Sequence, residues 1–192
     1  DVERSRGLGD VYKRQFQKTP FIPSETNYVE DNKVMLWEEL MSISSPMPLG
    51  EIVIRRAVPD DVDGIISVNI ECLPEHYPIR FWLEHIERYG AAFYVAEVGG
   101  KIVAYVMPRV EFGFAKLGTG MRRLGHIVSI AVRRPFRRRG IATALMTASM
   151  ESLKNEYGVQ EVYLEVRVSN EPAINLYKKL GFTIVERISR YY

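Results

Sequence analysis

The chain has 192 residues, a formal net charge of +2 at pH 7, 46% hydrophobic residues and 26% charged residues. That length supports one domain with a packed core, the composition is ordinary for a soluble globular protein, and +2 excludes a polycation built to coat nucleic acid. A single cysteine, Cys72, excludes a disulfide framework and a cysteine-based metal site, and no apolar run approaches the roughly 18 residues of a membrane helix.

Residues 1–50 read differently from the rest. They hold four of the ten prolines and little sustained periodicity, so a poorly ordered extension is expected. Val34 to Met41 could form one or two helical turns. The first fifteen residues look like a translated sequencing-adapter scar and are set aside from fold reasoning.

The folded domain is expected over 51–192. Ile52–Val58 reads as a strand, and Pro59-Asp60-Asp61 as a helix start with acids in the first turn. Leu73-Pro74 ends that helix. A second helix runs from Ile79 to Tyr89, where Gly90 stops it. Ala92–Val98 and Ile102–Met107 flank Gly99-Gly100, the signature of a hairpin. A polar loop follows, from Gly113 to Gly125, and then an apolar strand, His126–Val132. Ile141–Tyr157 is a helix with Ile141, Leu145, Ala148 and Leu153 on one stripe. Val162–Arg167 is a strand, Pro172–Leu180 a short helix and Thr183–Ile188 a last strand. The order is that of an α/β, or mixed α+β, domain.

Five arginines lie within residues 133–139, and the run Arg137-Arg138-Arg139-Gly140-Ile141-Ala142-Thr143 joins a strand to a helix. A helix N-terminus offers unpaired N–H groups and a partial positive charge. Glycine lets backbone approach a phosphate, and arginine supplies counter-charge. A solvated basic turn is the plain alternative. The dinucleotide fingerprint and the P-loop are excluded, because their glycine and lysine elements are missing. Further on, Asn170 can cap a helix, Pro172 can occupy its first turn and Gly181 can end it. A structural helix explains those three, and Leu176 as core, but does not require the hydroxyl of Tyr177.

The two patterns, Arg-x-x-Gly-x-Ala and Asn-x-x-Ala-x-x-Leu-Tyr-x-x-x-Gly-Phe, occur in that order. Together they resemble the signatures of the GCN5-related N-acetyltransferases. Leu73-Pro-Glu-His-Tyr77, Gly125–Val132, Tyr163–Asn170 and Arg190-Tyr191-Tyr192 are similar to one branch, the archaeal protein N-terminal acetyltransferases related to the NatA catalytic subunit and the RimI group. The likeness covers residues 51–192. It implies a central, mostly antiparallel sheet flanked by helices, in which the strand ending at Val132 splays from the strand ending at Arg167. It also implies a further strand after Tyr192.

The resemblance assigns acetyl-CoA as co-substrate. Backbone groups of Ile130, Ala131 and Val132 would pair with its pantetheine arm and polarise the thioester carbonyl. Arg137, Arg138, Arg139, Gly140, Ile141, Ala142 and Thr143 would hold the diphosphate. Asn170 would hydrogen-bond the arm, and Tyr177 would protonate the leaving thiolate. The acceptor would be a protein α-amino group. Its ordinary pKa of about 7.7–8.0 leaves it mostly protonated at neutral pH, so it must lose a proton. Glu75 is the first candidate base and His126 the second; a solvated loop acid and a satisfied core histidine are the plain alternatives. Glu165 points into the site on this reading, and Tyr77, Tyr191 and Tyr192 line the peptide slot.

His126, Glu75 and Glu165 could gather a metal adventitiously, but the reaction needs none. A small amine or a lysine side chain is the competing acceptor. A nucleic-acid module using Arg133–Arg139 is the competing class, disfavoured by the +2 balance. With no secretory signal read, the expectation is a cytoplasmic monomer or weak dimer that acts on protein N-termini, with ribosome association open, and that binds neither nucleic acid nor membrane.

Overall fold

The computed structural model describes residues 9–15 and 51–188. In chain order its elements are β1 (Gly9–Gln15), β2 (Ile52–Arg56), α1 (Val62–Cys72), α2 (Ile79–Tyr89), β3 (Tyr94–Val98), β4 (Lys101–Phe114), β5 (Met121–Val132), α3 (Ile141–Tyr157), β6 (Glu161–Arg167), α4 (Glu171–Lys179) and β7 (Thr183–Ile188). One-turn 3-10 helices, Pro59–Asp61 and Arg134–Phe136, lead out of β2 and β5. Seven strands form one sheet in the order β2-β3-β4-β5-β6-β1-β7. All neighbours are antiparallel except β5 and β6, which run parallel. This is the mixed, mostly antiparallel architecture that the family resemblance implies.

Each sheet face buries one apolar layer, as a sheet between helices must. On one side Ile141, Leu145, Met146, Met150 and Leu153 of α3 and Tyr177 of α4 pack with Val106, Ile127 and Leu164. The buried stripe of α3 runs through Ser149 and Met150, with Ala148 at its half-buried margin. On the other side Ile65 and Val68 of α1 and Trp82 of α2 pack with Phe93, Tyr105 and Met107. Tyr105 also pins three elements by polar contacts. Its hydroxyl meets Ser129 of β5 at 2.7 Å and accepts from Asn69 of α1 at 3.0 Å. Burial pushes this phenol up to about 12, so it stays neutral and satisfied inside the core.

Two glycines are fixed by geometry. A Cβ at Gly90, the C-cap of α2, would lie 2.4 Å from the Ile86 carbonyl oxygen. The Gly99-Gly100 turn has φ of 54° and 76°, the left-handed values a tight hairpin needs.

The sequence reading differs from the structure in two places. The β4–β5 hairpin is much longer than expected. The segment read as a polar loop from Gly113 to Gly125 is strand except for residues 115–120, and Phe114 pairs with Met121. Pro108 sits at a register shift, where a missing N–H costs no ladder bond. Beyond the core the hairpin has no apolar face to bury, so alternation fades while backbone pairing continues. Gly9–Gln15, in the segment set aside from the fold, pair with both β6 and β7. The helical turns expected at Val34–Met41 lie outside the described residues.

Candidate active site

The site forms where β5 and β6 part. They pair only through Leu124, Gly125 and His126, opposite Glu161, Val162 and Tyr163. From Ile127 to Val132, β5 has β4 on one side and, among the described residues, no strand on the other. That is the expected splay, and it includes Ile130, Ala131 and Val132. The Val132 carbonyl already accepts a hydrogen bond from Arg137 Nε at 2.8 Å, and Cys72 Sγ lies 3.6 Å from it.

Beyond Val132 the chain turns through the arginine run into α3. Arg138 has φ 63° and Gly140, the N-cap, φ 74°, both left-handed. Among the described residues no side chain caps this helix start. The first amides of α3, at Ile141, Ala142 and Thr143, therefore have no intrahelical acceptor, and Gly140 allows close approach to them. Arg133 belongs to a different job: it pairs with Glu71 and donates to Ser67 Oγ at 2.8 Å, tying the loop to α1.

At the parting point sits a polar cluster. His126, buried on β5, donates from Nε2 to Glu165 of β6 at 2.7 Å. Its ring stacks on Tyr163, with centroids 4.4 Å apart and planes 6° off parallel. Nδ1 is buried with no hydrogen-bond partner and lies 3.5 Å from Glu111 Oε1. Glu111 accepts from Tyr163 Oη at 2.8 Å and from Arg109 Nε. Burial works against the Glu111 charge, but Tyr163 and Arg109 outweigh it and hold the carboxyl below its usual range. For Tyr163, burial and the same carboxylate push the phenol up.

Glu75 is not in this cluster. It lies in the loop between α1 and α2 and accepts from Arg167, at the end of β6, at 2.7 Å. His126 and Glu165 are therefore joined, while Glu75 enters a separate ion pair. The gathering of Glu75, His126 and Glu165 around a metal is not formed; among the described residues no group of three or more metal-ligating side chains converges. Tyr77, in the same loop, stacks on Phe81 with centroids 4.6 Å apart and meets Trp82 edge-on. Burial, then Glu75, raises its phenol.

Asn170 caps α4, accepting from the Ala173 N–H at 3.3 Å. Tyr177 is buried beside Phe182 in the core, and burial alone raises its phenol well above the usual value. Tyr191 and Tyr192 lie outside the described residues. The sequence reading missed Glu111, Arg109 and Tyr163. Their one available signal was alternation: Arg109 and Glu111 fall on one face of a strand that had been read as ending at Met107.

The family model described as the acetyltransferase (GNAT) family matches residues 62–182. An N-alpha-acetyltransferase of Sulfurisphaera tokodaii is 55% identical over 144 residues, 74% of this chain and 86% of the relative. Among solved structures, Ard1 from Thermoplasma volcanium superposes with a TM-score of 0.61 at 30% identity, covering 73% of this chain and 88% of that one. A NatC complex bound to Gag peptide and CoA gives a TM-score of 0.65 at 25% identity, over 74% and 91%. With the splayed sheet, the uncapped helix start and this match over more than half its length, the chain belongs to the acetyltransferase (GNAT) family.

Proposed function

We propose that this protein is an N-terminal acetyltransferase, moving acetyl from acetyl-CoA to the α-amino group of a protein. The single observation that carries the reading is the 55% identity to an N-alpha-acetyltransferase over 144 residues. The fit of the co-substrate rests on this structure. The unpaired edge of β5 suits the strand-like pantetheine arm. The uncapped amides of Ile141, Ala142 and Thr143, with Arg137, Arg138 and Arg139 beside Gly140, suit a diphosphate. Acetyl-CoA, when bound, supplies an acetyl group activated as a thioester.

The chain's own residues do the rest. Glu75, through one water, takes a proton from the acceptor ammonium, with His126, paired to Glu165, as the second candidate base. The freed amine nitrogen then forms a bond to the acetyl carbon as the carbon–sulfur bond breaks, and it releases its second proton to water, from which Tyr177 recovers the proton it gives to sulfur. Tyr177 keeps its proton at neutral pH because burial raises its phenol, so it can donate to the departing thiolate. Asn170 would bond the cofactor arm, and Tyr77, Tyr191 and Tyr192 would line the peptide slot.

We place the reaction in the cytoplasm, on nascent or mature chains, by a monomer or weak dimer, ribosome-associated or free. Among the described residues no helix is long and apolar enough to cross a membrane, and Cys72 is a free thiol. The test is acetyl transfer to short peptides differing in residue one, read by mass spectrometry. Modification of the α-amine supports the reading; acetylation of polyamines or lysine side chains alone refutes it.

A further inference from the structure

We propose that Lys116 is a specificity-determining residue: its ammonium, held over the β6 face by the loop that buried Glu161 anchors, reads an acidic third residue in the acceptor chain. This rests on the transferase reading above and names a substrate class within it.

Glu161 opens β6 and is fully buried, a costly place for a carboxyl group. Its Oε1 accepts from the backbone N–H groups of Lys116 and Leu117, each at 2.7 Å. Among the described residues its buried Oε2 has no hydrogen-bond partner. The turn over residues 115–120 closes on itself through Ala115 N–H and the Gly120 carbonyl at 2.8 Å. That bond shapes the turn but does not attach it to β6; the two bonds to Glu161 do. The anchored loop sets Lys116 Nζ 5.3 Å from the centre of the Tyr163 ring.

Glu161, Tyr163, Glu165 and Arg167 alternate along β6 and so share one face. The two candidate bases meet that face at its far end, Glu75 at Arg167 and His126 at Glu165. Lys116 meets it at Tyr163. An acceptor chain whose amine lies at the bases and which runs along this face toward the hairpin advances about 3.3 Å per residue. Its third residue then lies roughly 7 Å past the first and on the same side. Tyr163 stands that same two-residue step past Glu165, so the third residue is the one that comes to Lys116.

Charge decides what that residue is. The carboxylates of this face are committed: Glu75 to Arg167, Glu165 to His126, Glu111 to Tyr163 and Arg109, and Glu161 to its two amides. Arg109 and Arg167 are thereby answered too. Lys116 is exposed and, among the described residues, has the Tyr163 ring against it but no carboxylate. An Asp or Glu side chain of the acceptor supplies the missing partner, and a Lys or Arg there is repelled.

The test compares two short peptides that differ only in Glu or Gln at position three. Wild type, Lys116→Gln and Lys116→Glu are each assayed at low and at high salt. Two ratios are read, glutamate over glutamine: kcat/KM for acetyl transfer, and peptide affinity by calorimetry with CoA present. Lys116 is exposed, so neither substitution disturbs the core. In the wild type both ratios should be about two- to fivefold, the range of an exposed ion pair, and should shrink as salt shortens the reach of charge. They should fall to near one in Lys116→Gln and below one in Lys116→Glu. Moving the glutamate to position two should weaken the wild-type preference. A wild-type ratio of one at low salt overturns the proposal. So does a preference that survives in Lys116→Gln, or one equally strong with glutamate at position two. Failure of the transferase reading is separately visible, as no transfer to either peptide by the wild type; the affinity ratio then decides the claim for Lys116 by the same criteria.

Discussion

Replacing Gly140 by valine separates backbone strain from cofactor binding. Gly140 is the N-cap of α3 with φ 74°. Left-handed backbone costs an L-residue roughly 1–2 kcal/mol, and a β-branched one sits at the upper end. For a domain of this size that is a loss of about 2–8 °C in Tm. The side chain would also stand where the diphosphate must approach the amides of Ile141, Ala142 and Thr143. Each hydrogen bond lost to a charged group costs about 1.5–3 kcal/mol, so the Kd for acetyl-CoA should rise roughly 10- to 150-fold per bond. The control lies at the other end of the same helix. Gly158, the C-cap, has φ 62°, and a Cβ there meets only Arg123 Nη1 at 3.7 Å. Gly158→Val should show a similar fall in Tm and an unchanged Kd. Calorimetric titration with acetyl-CoA, alongside thermal unfolding of both variants, reads the difference. If both lose stability and both keep wild-type affinity, the α3 N-terminus is not the diphosphate site.

Three other substitutions probe separate parts of the account. Tyr177→Phe removes only a buried hydroxyl and should lower kcat by at least about tenfold with the acetyl-CoA Kd unchanged; an unchanged kcat would mean the thiolate leaves without it. Glu75→Gln should cut turnover by about 10²- to 10⁴-fold, with His126→Ala costing less; near-normal turnover in both and in the double variant would assign deprotonation to solvent. Asp61→Asn tests the fold. Arg55 holds the Asp61 carboxyl below the ordinary aspartate value of 3.8 through a bidentate pair at 2.7 Å. A depressed folded value means that stability from this pair is fully present above about 3.8 and is lost as the pH falls through the lower, folded value. The Asn variant should therefore have a lower Tm at pH 7 and a shallower fall in Tm below pH 4, measured by thermal unfolding across pH.

Legibility followed burial. Strands and helices that alternate or repeat against a core, such as β3, β5 near His126 and α3, are readable because period and packing agree. The turn from Arg137 into α3 is readable because a glycine stands directly before an apolar stripe, where the structure puts the helix N-cap. The distal hairpin is not. Phe112 and Phe114 are 72% and 74% exposed, so their strand is held by cross-strand backbone bonds that leave no hydrophobic period. Losing that strand meant losing Glu111 and Arg109. The Glu75–Arg167 pair was equally invisible, since it joins positions 92 residues apart. The Glu165 reading was reachable from one strand alone, because alternation set it apart from Leu164 and Val166.

The account's central claim is that the acceptor is a protein α-amine, and the most direct measurement offers the enzyme a choice. A peptide beginning with serine and carrying one internal lysine is incubated with acetyl-CoA, and the site of acetylation is located by fragment-ion mass spectrometry. The account predicts acetyl on the N-terminal nitrogen with the lysine untouched, and no product when that nitrogen is blocked beforehand. Acetyl on the lysine, or equal product from the blocked peptide, would contradict it.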